Sequence, residues 1–111
     1  MKKRVWHGAS NKEYAFEAGD TAGRNAKGAG IYVFAQDFGP FSAALYVGHS
    51  DNLADDLQGR EMWAAAQRLG ATKIDILKVA DIRERKLITS DLVVGLQPLL
   101  NQKSRLKTAR R

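Results

Sequence analysis

The sequence predicts an α+β domain: a small, mainly antiparallel three-stranded sheet flanked by helices. Three observations predict it. Two strand-like runs, 31–36 and 42–48, stand on either side of a short turn. Past residue 51 the apolar spacing changes from period 2 to the three-and-four spacing of an amphipathic helix. A third strand-like run at 73–79 is followed by a second helical pattern, so the order is hairpin, helix, strand, helix.

The elements follow from local chemistry. Residues 1–12 are polar and read as loosely ordered at the start, and Glu13-Tyr14-Ala15-Phe16-Glu17 alternates polar and apolar as a half-buried strand does. Residues 18–30 carry Gly19, Gly23, Gly28 and Gly30 with Asp20 and Asn25, which is loop composition. Ile31 to Gln36 is β-branched and aromatic. Asp37-Phe38-Gly39-Pro40 is turn chemistry that joins it to the run from Ser42 to Gly48 as an antiparallel hairpin.

Ser50 or Asp51 then caps a helix from Asn52 to Leu69, with Leu53, Leu57, Met62, Trp63, Ala66 and Leu69 as its apolar positions. Gly59 interrupts it at a cost of about 1 kcal/mol relative to alanine. Gly70 suits the position just past its end. Lys73 to Val79 is the third strand. Asp81 caps a second helix, 82–96, with Leu87, Ile88, Leu92 and Val93 on one side.

Composition bounds the function. The chain of 111 residues is one domain's worth, with 44% apolar and 27% charged residues. It has no cysteine, which excludes disulfides and thiolate metal sites. No apolar run approaches the roughly 20 residues of a membrane span. The basic N-terminus lacks the apolar core of a signal peptide, so no membrane association and a cytoplasmic location are expected.

The net charge is +6, but it sits at the ends. Lys103, Arg105, Lys107, Arg110 and Arg111 crowd the C-terminus, and Lys2, Lys3 and Arg4 the N-terminus. Residues 5–102 hold ten basic and twelve acidic side chains, a net of −2. A basic tail binds DNA or RNA through phosphates, weakly and without sequence preference.

The two strands of the hairpin carry Gly30-Ile31-Tyr32 and Tyr46-Val47-Gly48, sixteen residues apart from Gly30 to Tyr46. Ser50, Asn52-Leu53, Leu57, Leu92-Val93, Pro98 and Asn101 follow. Together these resemble the GIY-YIG nuclease family over about residues 29–101. The resemblance divides the chain into an N-terminal extension at 1–28 with a strand at 13–17, a GIY-YIG-like domain at 29–102 and a basic tail at 103–111.

The resemblance also implies a mechanism. Members cut phosphodiester bonds in nucleic acid with one divalent metal. A motif tyrosine helps activate water, an arginine on the first helix holds the phosphate, and a histidine or tyrosine one turn later assists. A glutamate on the second helix binds the metal. Arginine suits phosphate because its fork matches two oxygens, and magnesium prefers carboxylate and water ligands.

Carried over one position at a time, the tyrosines are Tyr32 and Tyr46. The arginine position, three residues after Asn52-Leu53, holds Asp56. The histidine position holds Arg60, and the glutamate position, nine residues before Pro98, holds Thr89. A carboxylate thus replaces a cation beside a dianionic transition state. Two unit charges at about 4 Å interact by about 4 kcal/mol at an effective dielectric of 20, so the reversal swings the local energy by about 8 kcal/mol before screening. Asp56 and Arg60, at i and i+4, read as a surface ion pair. Asn101 reads as structural, Trp6 and Trp63 as core anchors, His49 as a solvated turn residue, and Arg83, Arg85 and Lys86 as a solvated face.

Three functions stay open. One is a catalytically degenerate domain that binds nucleic acid or a protein partner and needs no cofactor. Another is an endonuclease with a rearranged site built on Tyr32, Tyr46 and Arg60, with Asp56 as a relocated metal ligand, requiring magnesium or manganese. The third is an accessory subunit that pairs with an active relative.

Overall fold

The run Ile31-Tyr32-Val33-Phe34-Ala35 contains no charged residue, and a strand of that kind belongs inside a sheet with both faces covered. The computed structural model, which describes residues 3–18 and 27–102, builds the fold around it. The chain runs β1 (Lys3–His7), β2 (Glu13–Glu17), β3 (Gly30–Phe38), β4 (Phe41–Ser50), a 3-10 turn (Leu53–Asp55), α1 (Leu57–Arg68), β5 (Lys73–Lys78) and α2 (Ile82–Leu96). Most of the glycine-rich loop and all of the basic tail from residue 103 lie outside the described residues.

The α+β class holds, but the three-stranded sheet does not: the sheet has five antiparallel strands in the order β1-β2-β5-β3-β4. The three expected strands are its β5-β3-β4 portion. The other two are the N-terminal hairpin, in which Lys3 pairs with Glu17 and His7 with Glu13. The strand at 13–17 was legible. β1 was not, because its Lys-Arg-Val-Trp-His composition looks like a polar terminus.

Among the described residues the β2–β5 ladder aligns Glu17 with Ile76, and side chains add to the holding. Asp75, completely buried on β5, accepts a hydrogen bond from Trp6 Nε1 at 2.9 Å and pairs with Arg4 Nε at 2.7 Å. Arg4 also reaches Asp37 at 2.9 Å and lies 5.6 Å from the Trp6 ring centroid. A second anchor joins the hairpin turn to α2. The Asp91 carboxylate accepts from Ser10 N–H, the Ser10 hydroxyl and the Tyr14 hydroxyl at 2.6–2.8 Å. These donors hold the Asp91 carboxyl below its usual range.

The helices lie on opposite faces of the sheet. Ile31, Val33, Ala35 and Val47 pack with Trp6, Phe16 and, from α2, Ile88 and Leu92. Tyr32, Phe34, Tyr46, Ile74 and Ile76 pack with Trp63 and Ala66 of α1. A bulge in β4 shifts the register between Phe34, opposite Tyr46, and Ala35, opposite Ala44. It places the consecutive residues Leu45 and Tyr46 in the same α1-side core. After α2 the chain passes the outer edge of β4, where the Asn101 carboxamide makes two 2.9 Å hydrogen bonds to the Val47 backbone. Leu100 then enters the α1-side core. Asn101 is structural.

Three local expectations change. The helix expected from Asn52 starts instead at Leu57. Asp56 sits in extended backbone (φ −107°, ψ 95°) and caps α1 by accepting from Gly59 N–H at 3.0 Å, so neither Ser50 nor Asp51 is the cap. Leu87 does not join the buried side of α2, being 73% exposed, and Arg85 takes a place on that side at 1% exposed. Other signals held: Asp81 caps α2, and Gly70 ends α1 at φ +106°, with Gly70 N–H and Ala71 N–H bonded back to Gln67 and Ala66.

The seat of the hairpin on α2 is tight. A Cβ on Gly95 would stand 2.5 Å from Ala9 N and 2.6 Å from Gly8 C, both backbone atoms. Gly95→Ala is therefore expected to lower the unfolding free energy by about 1–3 kcal/mol in urea titration, as overpacking does. Amide protection in β1 and β2 should fall first. An unchanged midpoint would mean that the hairpin is not held against α2.

Candidate functional site

Tyr32 and Tyr46 come from adjacent strands and point to the α1 side, where they are 5% and 8% exposed. Their ring centroids are 6.1 Å apart. Phe34 stacks on Tyr32 at 4.9 Å and meets Trp63 edge-on at 5.0 Å, so both tyrosines belong to one aromatic cluster. The second motif's glycine has a steric cause. Tyr32 lies opposite Gly48, and a Cβ there would be 2.5 Å from the phenol ring.

The Tyr32 hydroxyl meets Asp56 over the first turn of α1. A Cβ on Gly59 would lie 2.6 Å from Asp56 Oδ2 and 3.1 Å from the Tyr32 oxygen. The Gly59 position thus admits both groups. One Asp56 oxygen caps the helix, while Oδ2 is buried on the side of the Tyr32 hydroxyl, which is placed to donate to the carboxylate. Burial raises the Tyr32 pKa strongly, and the nearness of Tyr46 and Asp56 adds to it. Burial, then Asp56, raises that of Tyr46. Both phenols are held neutral, the opposite of what a tyrosine receiving a proton from water requires.

The remaining expected residues are dispersed. Arg60 is exposed and bonds the Ala54 carbonyl at 3.4 Å; it makes no ion pair with Asp56, so the surface pair read from their spacing does not form. Thr89, on α2, is on the other side of the sheet from the tyrosines. It faces a groove of about 360 Å³ with His49, Lys86, Ser90, Val93 and Val94. No carboxylate lines that groove, and among the described residues no three His, Asp or Glu side chains converge on a common point. The residues at the family's metal position therefore do not fit a magnesium ion. The tail residues Lys103, Arg105, Lys107, Arg110 and Arg111 lie outside the described residues.

Two residues near the groove, Arg85 and His49, are not the solvated groups that the sequence suggests. Arg85 is not part of a solvated face. Its Nη1 donates to the Val79 and Ala80 carbonyls at 3.2 and 2.9 Å, and its Nη2 pairs with Asp51. It ties the end of β4 to the entrance of α2. Its spacing from Ile88 and Leu92, three and seven residues on, was the available signal. His49 is half-buried, and its Nδ1 is enclosed without a partner. Burial, then the Arg85 and Lys86 charges, lowers its pKa, against weaker opposition from Asp51 and Asp56.

No known family, curated protein or solved structure matches this chain. Among the described residues, no helix is long and apolar enough to cross a membrane.

The raised Tyr32 pKa gives a pH dependence. Folding favours its protonated form, so its contribution to stability is intact below about pH 10, the ordinary phenol value, and is lost as pH rises further. Absorbance titration near 295 nm should show a phenol that ionises only with alkaline unfolding. Asp56→Asn keeps a capping side chain and should bring that ionisation to lower pH. Asp56→Ala should also cost about 0.5–2 kcal/mol through loss of the cap. A Tyr32 that titrates normally in the folded protein would contradict the enclosed geometry.

Proposed function

We propose that this chain is a GIY-YIG-like domain that binds nucleic acid without cutting it. The carrying observation is the half-buried Asp56 carboxylate, held beside the Tyr32 hydroxyl at the position where the resembled nucleases place a phosphate-holding cation. A phosphodiester brought there meets a negative charge and two neutral phenols. Transition-state charge would go uncompensated, and loss of one such electrostatic group typically costs about 10²–10³ in rate.

Binding rests on charge. The +6 excess lies in the terminal segments, whereas the body between them is slightly acidic. Contacts through a tail are made to phosphates, so they are salt-sensitive and indifferent to base sequence. A protein partner and a cytoplasmic setting are compatible with the same reading and are part of the proposal.

The test pairs cleavage with binding. The full chain with magnesium or manganese should leave supercoiled DNA, linear DNA and RNA intact, while retarding them with an affinity that falls steeply with salt. Removal of residues 103–111 should weaken binding and flatten the salt slope. Metal-dependent cleavage abolished by Tyr32→Phe or Arg60→Ala would overturn the proposal in favour of a rearranged endonuclease.

A further inference from the structure

The groove between the end of β4 and α2 is lined by an ammonium, two hydroxyls and an imidazole that donates from both ring nitrogens once protonated. Thr89 Oγ1 and His49 Nδ1 are both buried and without a partner. A helical threonine ordinarily settles its hydroxyl on a carbonyl three or four residues back, and Thr89 does not. Leaving such groups unpaired is unfavourable, so a cluster of them calls for an explanation. Behind them the guanidinium of Arg85, 1% exposed, also has an unpartnered Nε. Ser90 and Lys86 complete the polar lining, and among the described residues Lys86 makes no ion pair.

The nearby acids are occupied. Asp51 is paired with Arg85, Asp91 is held by Ser10 and Tyr14, and one Asp56 oxygen caps α1 on the other side of the sheet. A groove with an ammonium, two hydroxyls and an imidazole, and no carboxylate, suits an anion with several acceptor oxygens. Its open side admits a ligand larger than the anionic group itself.

We propose that this groove binds a phosphate group, with Lys86 supplying charge and Thr89, Ser90 and His49 supplying hydrogen bonds. The proposal deepens the nucleic-acid reading by giving the folded body a phosphate seat separate from the basic ends. The same chemistry serves a free phosphate or small phosphate ester. Binding makes protonation of His49 easier, because the anion offsets Arg85 and Lys86; Asp51 and Asp56 already act in that direction.

The test is an NMR titration of the full chain with inorganic phosphate at constant ionic strength, read at the two histidine rings. His49 should shift saturably and its pKa should rise. His7, exposed and 3.1 Å from Glu13, should stay still as an internal control. Thr89→Val, which keeps the side-chain shape, and Lys86→Ala, at an exposed position, should each weaken phosphate binding about tenfold, as loss of a charge-assisted contact does. A short oligonucleotide should reproduce the His49 shift if backbone phosphate is the ligand. Lys86→Ala should then lower the oligonucleotide salt slope by about 1.

Phosphate binding without an oligonucleotide response would keep the groove as a small-phosphate site and remove the nucleic-acid reading from it. A still His49, joint drift of His49 and His7, or unchanged affinity in both variants would overturn the groove. Salt-sensitive oligonucleotide binding alongside a still His49 would leave the nucleic-acid reading in place.

Discussion

A carboxylate enclosed in a protein interior must be matched by donors or cations, and Asp75 sets that requirement at the centre of the sheet. It draws Trp6 and Arg4 from β1 across the intervening strand. That reach fastens a hairpin that aligns with β5, among the described residues, at Glu17 and Ile76. The five-stranded sheet is therefore held by a buried charge as well as by backbone pairing. Asp91 repeats the arrangement at the other end, clasping the hairpin turn to α2 through Ser10 and Tyr14.

The same economy of space shapes the motif residues. β3 is apolar on both faces, so its alternate side chains must go to two separate cores. Tyr32 falls on the α1 side with Phe34 and, through the bulge in β4, meets both Leu45 and Tyr46. The phenols fill a hydrophobic volume closed by Trp63, and the place where they approach the surface is taken by Asp56. Chemistry that needs a proton acceptor and a cation finds neutral phenols and an anion. The donor-rich groove lies on the opposite face, beneath α2.

Much of the core could be read directly. The hairpin, β5 and the limits of α2 follow from period changes and capping residues, which act within a few positions along the chain. Trp6 and Trp63 were readable as anchors because large aromatics seldom remain in water. The start of α1 was misplaced because Ser50, Asp51, Asn52 and Asp56 are all competent caps. Local chemistry could not rank them. The cap, Asp56, lies beside Tyr32 and Gly59, a contact between distant segments.

The sequence by itself determined the α+β class, the motif strands, the absence of thiol chemistry and the location of the positive charge, because each depends on composition or short-range spacing. Tertiary structure decided that β1 and β2 join the sheet, that Arg85 is buried and that Asp56 and Arg60 do not pair. It also decided that Thr89 stands with His49 away from the tyrosines. These outcomes depend on which face of the sheet each side chain enters. A bulge, a bend before a helix and a buried charge partner fix that face, and all three act between residues far apart in the chain.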